Sequence, residues 1–165
     1  MSLIYGDDFK NKLAISSTHT FYGLFKNCTK LVSAENLILP ATTLADNCYR
    51  NMFEGCTSLT TAPELPANTL ANSCYNGMFY GCTSLTTAPK LPATTLASNC
   101  YQYIFYNCKK LNYIKMLATN ISAYSCLYNW VKGVSSTGTL VKNAAMTSLP
   151  IGTSGIPNGW TVQNA

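Results

Sequence analysis

Charge is scarce in this chain. Only 10% of its 165 residues are Asp, Glu, Lys or Arg, well below the usual quarter of a soluble domain. The basic residues outnumber the acidic ones, giving a formal charge of +5, but they are scattered and Lys109-Lys110 is the only adjacent pair. Nucleic-acid binding normally shows a basic stripe or cluster, so no nucleic-acid partner is expected. No apolar run approaches the ~20 residues needed to cross a bilayer, so no membrane insertion is expected either. Histidine is nearly absent, with His19 alone. The acids are Asp7, Asp8, Glu35, Asp46, Glu54 and Glu64, and only the first two are close in sequence. Nucleophile elbows, phosphate loops and metalloprotease motifs are missing. No catalytic residue, cofactor or metal site is implied, and the chain is not expected to be an enzyme.

What fills the gap is Thr, Ser and Asn, together with eight cysteines and eleven tyrosines. These residues recur. "EGCTSLTTAPELPANTLANSCY" runs from Glu54 to Tyr75, and "YGCTSLTTAPKLPATTLASNCY" from Tyr80 to Tyr101. Two cysteine series set the register. Cys48, Cys74, Cys100 and Cys126 are each 26 residues apart, and so are Cys56, Cys82 and Cys108. Cys28 lies upstream of the second series, and Thr20 takes the place of a cysteine in the first.

Each unit carries two patterns. Tyr49, Met52 and Phe53 recur as Tyr75, Met78, Phe79 and as Tyr101, Ile104, Phe105. Spacing i, i+3, i+4 predicts one apolar face of a short helix, ended by Gly55, Gly81, Asn27 or Asn107. The second pattern follows the second cysteine, as in Leu59-Thr-Thr-Ala62-Pro-Glu-Leu65. Thr-rich stretches bounded by Pro predict a strand of only a few residues. Such a unit cannot close a core alone. About six buried apolar side chains give roughly 10–18 kcal/mol gross, and ordering 26 residues at ~1.5 kcal/mol each costs more. Units must stack and share their apolar faces.

A 26-residue period lies in the leucine-rich-repeat window. The motif "MFxGCTSLTTAPxLPATTLAxxCY" resembles the BspA-like leucine-rich repeats of anaerobic bacteria and their phages, over about residues 20–126. The resemblance implies an α/β fold, a right-handed leucine-rich-repeat solenoid with a short strand and a short helix per rung. It also implies surface attachment, hence an extracellular or cell-surface location, and no catalysis. The expected organisation is a single domain over 1–165. Residues 1–19 form an incomplete N-terminal rung, 20–126 the repeat array, and 127–165 a C-terminal cap with Trp130 and Trp160 over the last apolar face.

Cysteines within a unit are eight residues apart, which does not match the close Cys-x2-4-Cys pairs of zinc sites. Stacked in register, their Cβ atoms would sit near 4.8 Å, wider than the ~3.8 Å a disulfide wants. Free, buried thiols are expected. The tyrosines divide differently. Tyr49, Tyr75 and Tyr101 fall at core positions. Lys26, Glu54, Tyr80 and Tyr106 form one outward column, and Tyr22, Arg50, Asn76, Gln102 and Tyr128 another. Two readings stand: tyrosines that merely cover a poorly charged surface, or an aromatic contact strip at Tyr80, Tyr103, Tyr106 and Tyr113. The expected function is a monomeric, non-enzymatic binding or adhesion module for a host or bacterial surface protein or glycan. The alternatives are a structural spacer or phage appendage component, and an ice- or crystal-facing array of Thr60/Thr86 and Thr61/Thr87.

Overall fold

The computed structural model describes residues 6–165; the first five residues of the segment expected as an incomplete rung lie outside them. The α/β leucine-rich-repeat solenoid with a helix in every rung does not form. Among the described residues there is no α-helix. There is one 3-10 segment, Gly6–Asn11, and one three-stranded parallel sheet. Its strands are β1 (Tyr113–Met116), β2 (Thr139–Lys142) and β3 (Thr161–Asn164), in the order β1-β2-β3. The leucine-rich-repeat label rests on that helix-and-strand rung and falls with it.

In place of the helix stands a run of consecutive turns. In the segment from Asn47 to Cys56, alternate N–H groups go to different places. Those of Arg50, Met52, Glu54 and Cys56 donate three residues back, to Asn47, Tyr49, Asn51 and Phe53. Those of Tyr49, Asn51, Phe53 and Gly55 donate instead to Cys74, Asn76, Met78 and Tyr80 of the next unit, at 2.8–2.9 Å. An α-helix satisfies its N–H groups internally and would leave none for the neighbour. Every fourth residue also has positive φ: Asn47, Asn51 and Gly55 here, Ser73, Gly77 and Gly81 in the next unit. A left-handed residue at that interval is incompatible with a right-handed helix.

The i, i+3, i+4 spacing therefore identifies the buried residues and misassigns the backbone. Tyr49, Met52, Phe53 and their counterparts in the next two units are buried. Like side chains lie on like. Phe53, Phe79 and Phe105 stack with centroids 5.5 and 5.9 Å apart, and Tyr49, Tyr75 and Tyr101 at 5.6 and 6.2 Å. Cys56, Cys82 and Cys108 each donate an S–H to the carbonyl of Phe25, Phe53 or Phe79 one unit earlier.

On the Thr-rich side, parallel contact is mostly single bridges, such as Ser33 with Thr61 and Thr43 with Thr69. A continuous strand appears at Tyr113–Met116, where "YIKM" replaces "TAPK". Lys115 stands where Pro89 stood, which lifts the limit that proline sets on strand pairing, and its carbonyl accepts from the Leu91 N–H. β1 pairs Tyr113 with Thr139, and β2 pairs Thr139 with Thr161. Beyond them Trp130 is fully buried, 6.4 Å from Phe105. Its Nε1 donates to Gly155 O, and Trp160 Nε1 donates to Ser135 O.

Candidate functional site

The turn run presents three outward columns, and their makeup changes along the molecule. The first is Lys26, Glu54, Tyr80, Tyr106 and Lys132. It begins with an ion pair, Lys26 Nζ to Glu54 Oε2 at 3.0 Å. It continues as a ring stack, Tyr80 on Tyr106 at 4.7 Å and 5°. It closes with Lys132 Nζ, 5.7 Å from the Tyr106 centroid, within cation–π range. The second column is Tyr22, Arg50, Asn76, Gln102 and Tyr128. Arg50 lies 6.0 Å from the Tyr22 ring. Asn76 is not outward as expected but buried, and its Nδ2 donates to Gln102 Oε1 at 2.7 Å.

The third column holds the left-handed residues Gly23, Asn51, Gly77, Tyr103 and Asn129. Glycine is free there, and asparagine tolerates it. Tyr103 does neither, yet has φ 57°. A bulky residue in this region is a true outlier and costs of order 1–3 kcal/mol. The conformation carries its ring into edge contact with Tyr106 at 5.7 Å and with Tyr128 at 5.6 Å. Four tyrosines from three units thus form one continuous patch.

Of the residues expected as a contact strip, Tyr80, Tyr103 and Tyr106 are brought together. They do not share a helical face; the turn geometry joins them. Tyr113 sits on β1 among its parallel neighbours Thr87 and Thr139 and joins none of these ring contacts. Tyr128 belongs to the patch, although its column in sequence separates it from Tyr103. The signal that would have found it is the Asn/Gly periodicity of four, which makes Tyr103 the misfit of its column.

Beside the patch the surface steps down. Gly77 precedes Tyr103 in the third column, and the surface there opens into a groove of about 230 Å³. Arg50, Asn51, Glu54, Asn76, Tyr80 and Gln102 complete its lining.

The cysteines are all free thiols; seven are buried and Cys28 is exposed. Burial pushes Cys48 and Cys100 up to about 12 from an ordinary value of 9.0, so they are unreactive near neutral pH. Among the described residues no group of three His, Cys, Asp or Glu side chains could hold a metal ion. Nor is any helix among them long and apolar enough to cross a membrane. Trp160 is buried. The Thr60 hydroxyl, expected outward, donates to Val32 O at 3.0 Å. Comparison with protein-family models, curated proteins and solved structures returns no match.

Proposed function

We propose that this protein is a non-enzymatic recognition module of a secreted or cell-surface protein. It contacts a protein or glycan partner through the patch of Tyr80, Tyr103, Tyr106 and Tyr128. The observation that supports this reading is Tyr103. A column that elsewhere holds only glycine and asparagine carries a tyrosine at φ 57°, and the strain gains nothing in the core, where the ring does not reach. Strained residues persist where the surroundings fix them and concentrate at binding sites. Tyrosine offers apolar area with a polar tip at little entropic cost and is enriched at interface hot spots.

The test is a binding array of glycans and of surface and matrix proteins, probed with the wild-type chain and with Tyr80→Ala/Tyr106→Ala. At least one ligand should be retained by the wild type, and the double variant should lose tenfold or more in affinity, about 1.4 kcal/mol. Absence of any ligand would leave the stack as a structural spacer.

A further inference from the structure

From the groove between Arg50 and Tyr103 we infer that the ligand is a carbohydrate, held as a single pyranose ring. The inference rests on the recognition reading above and names the chemistry of its ligand.

The groove has one aromatic side and one polar side. Tyr106 covers one face of the Tyr80 ring, and the Tyr80 side chain lines the groove together with Glu54. Tyr103 stands at its end, braced from behind by edge contacts to Tyr106 and Tyr128. Aromatic faces carry negative potential, which suits the electropositive C–H face of a sugar ring. The polar side is a pair of amides. Asn76 Nδ2 is engaged with Gln102 Oε1, which leaves Asn76 Oδ1 as an acceptor and Gln102 Nε2 as a donor. A hydroxyl both donates and accepts, so two neighbouring sugar hydroxyls satisfy this pair together. Arg50 adds more donors. Its guanidinium lies by the Tyr22 ring, Nη1 donates to Asn47 Oδ1 at 3.3 Å, and the buried Nε has no acceptor. Glu54 is already neutralised by Lys26.

Size and shape narrow the class. Drug-sized ligands occupy about 300–1,000 Å³; 230 Å³ holds one ring and its substituents. Gly77 leaves its part of the lining without a side chain, and the Asn51 amide already occupies the place where a Cβ would go. Tyr103 is then the wall, held in its strained conformation by its contacts with Tyr106 and Tyr128.

The experiment is NMR titration of the full chain with neutral methyl hexopyranosides and N-acetylhexosaminides, up to about 100 mM, far above a millimolar Kd. At least one sugar should shift the amide signals of Gly77, Gln102 and Tyr103 and receive saturation transfer on its ring protons. Tyr103→Gly, a residue the column already holds at Gly23 and Gly77, should weaken that sugar at least tenfold with no lower Tm. Gln102→Ala should weaken it too. Shifts confined to other residues, or unchanged affinity in both variants, would overturn the groove. A large drop in Tm for Tyr103→Gly would make Tyr103 a packing residue and overturn its role. If no sugar binds but an arrayed protein does and is lost in Tyr80→Ala/Tyr106→Ala, the carbohydrate inference falls and the recognition face stands. If neither binds, both fall.

Discussion

Phe79 and Tyr80 are neighbours in the chain, both aromatic and both stacked on a ring one unit further on. Phe79 lies between Phe53 and Phe105 and is fully buried. Tyr80 lies between Glu54 and Tyr106 and is half-buried. The inner column repeats because each ring is the mould for the next: a smaller side chain leaves a void with no partner atoms. The outer column changes from ion pair to ring stack to cation on ring, because water completes whatever the neighbour does not. Recognition, in a molecule of this kind, has only the outer columns in which to be written.

Alkaline titration gives the largest separation of the two sides. Burial holds Cys48 and Cys100 at about 12, and Cys74, Cys82 and Cys108 upward as well. The folded chain keeps these protons while the unfolded chain releases them above about 9. Stability is therefore unaffected below that point and falls as pH rises from 9 toward 12. Each thiol ionised only in the unfolded chain removes about 1.4 kcal/mol per pH unit. Urea unfolding at pH 7, 8, 10 and 11 should show a plateau and then a loss of several kcal/mol. A plateau extending through pH 11 would mean that the thiols are not isolated from water. Thiol counting should agree, with one fast site per molecule in native buffer, Cys28, and eight in denaturant.

Truncation separates the sides at a single position. Phe79→Ala removes a fully buried ring from the middle of a stack and should cost about 3–5 kcal/mol. Tyr80→Ala removes one outer stacking contact and should cost about 1 kcal/mol. Equal losses in chemical denaturation would end the distinction between inner and outer columns.

Much of this division was legible in the sequence, and the reason is the register. A period of 26 aligns Tyr49, Tyr75 and Tyr101, and alignment alone marks what repeats as core and what varies as surface. The backbone was not legible from the same pattern. Tyr49, Met52 and Phe53 fit a helix of 3.6 residues per turn and a turn run of period four equally well. Cys48, Met52 and Cys56 decide for four, as do Asn47, Asn51 and Gly55 in the left-handed positions. Gly55 and Gly81 do adopt positive φ, as members of that series rather than as helix ends. Tyr113 stands apart from the other rings because a strand begins there, and the contact of Tyr128 with Tyr103 was hidden because column order conceals a ring that reaches sideways.

Two left-handed columns do obey a stacking rule, and breaking it should have the smallest effect. In these two columns asparagine is followed, one unit on, by glycine: Asn27 by Gly55, Asn107 by Gly133, and Asn51 by Gly77, whereas in a third left-handed column Asn47 and Asn99 are followed by Ser73 and Ser125. In each case a Cβ on the glycine would collide with the asparagine Oδ1. The amide fills the space that the missing side chain leaves. Gly81 differs, since it follows Gly55, and an added Cβ there meets nothing closer than 4.0 Å. Asparagine tolerates the conformation, so Gly81→Asn should change stability by no more than about 0.5 kcal/mol. Gly55→Asn meets the Asn27 side chain and should cost about 1–3 kcal/mol. Adding Asn27→Gly removes the obstacle and should restore most of the loss. The coupling between the two positions, read from denaturant unfolding of both single variants and the double, should fall within 0.5–3 kcal/mol in the favourable direction. Simple additivity would show that the alternation of asparagine and glycine reflects backbone conformation alone, with no contact passing from unit to unit on the outside of the stack.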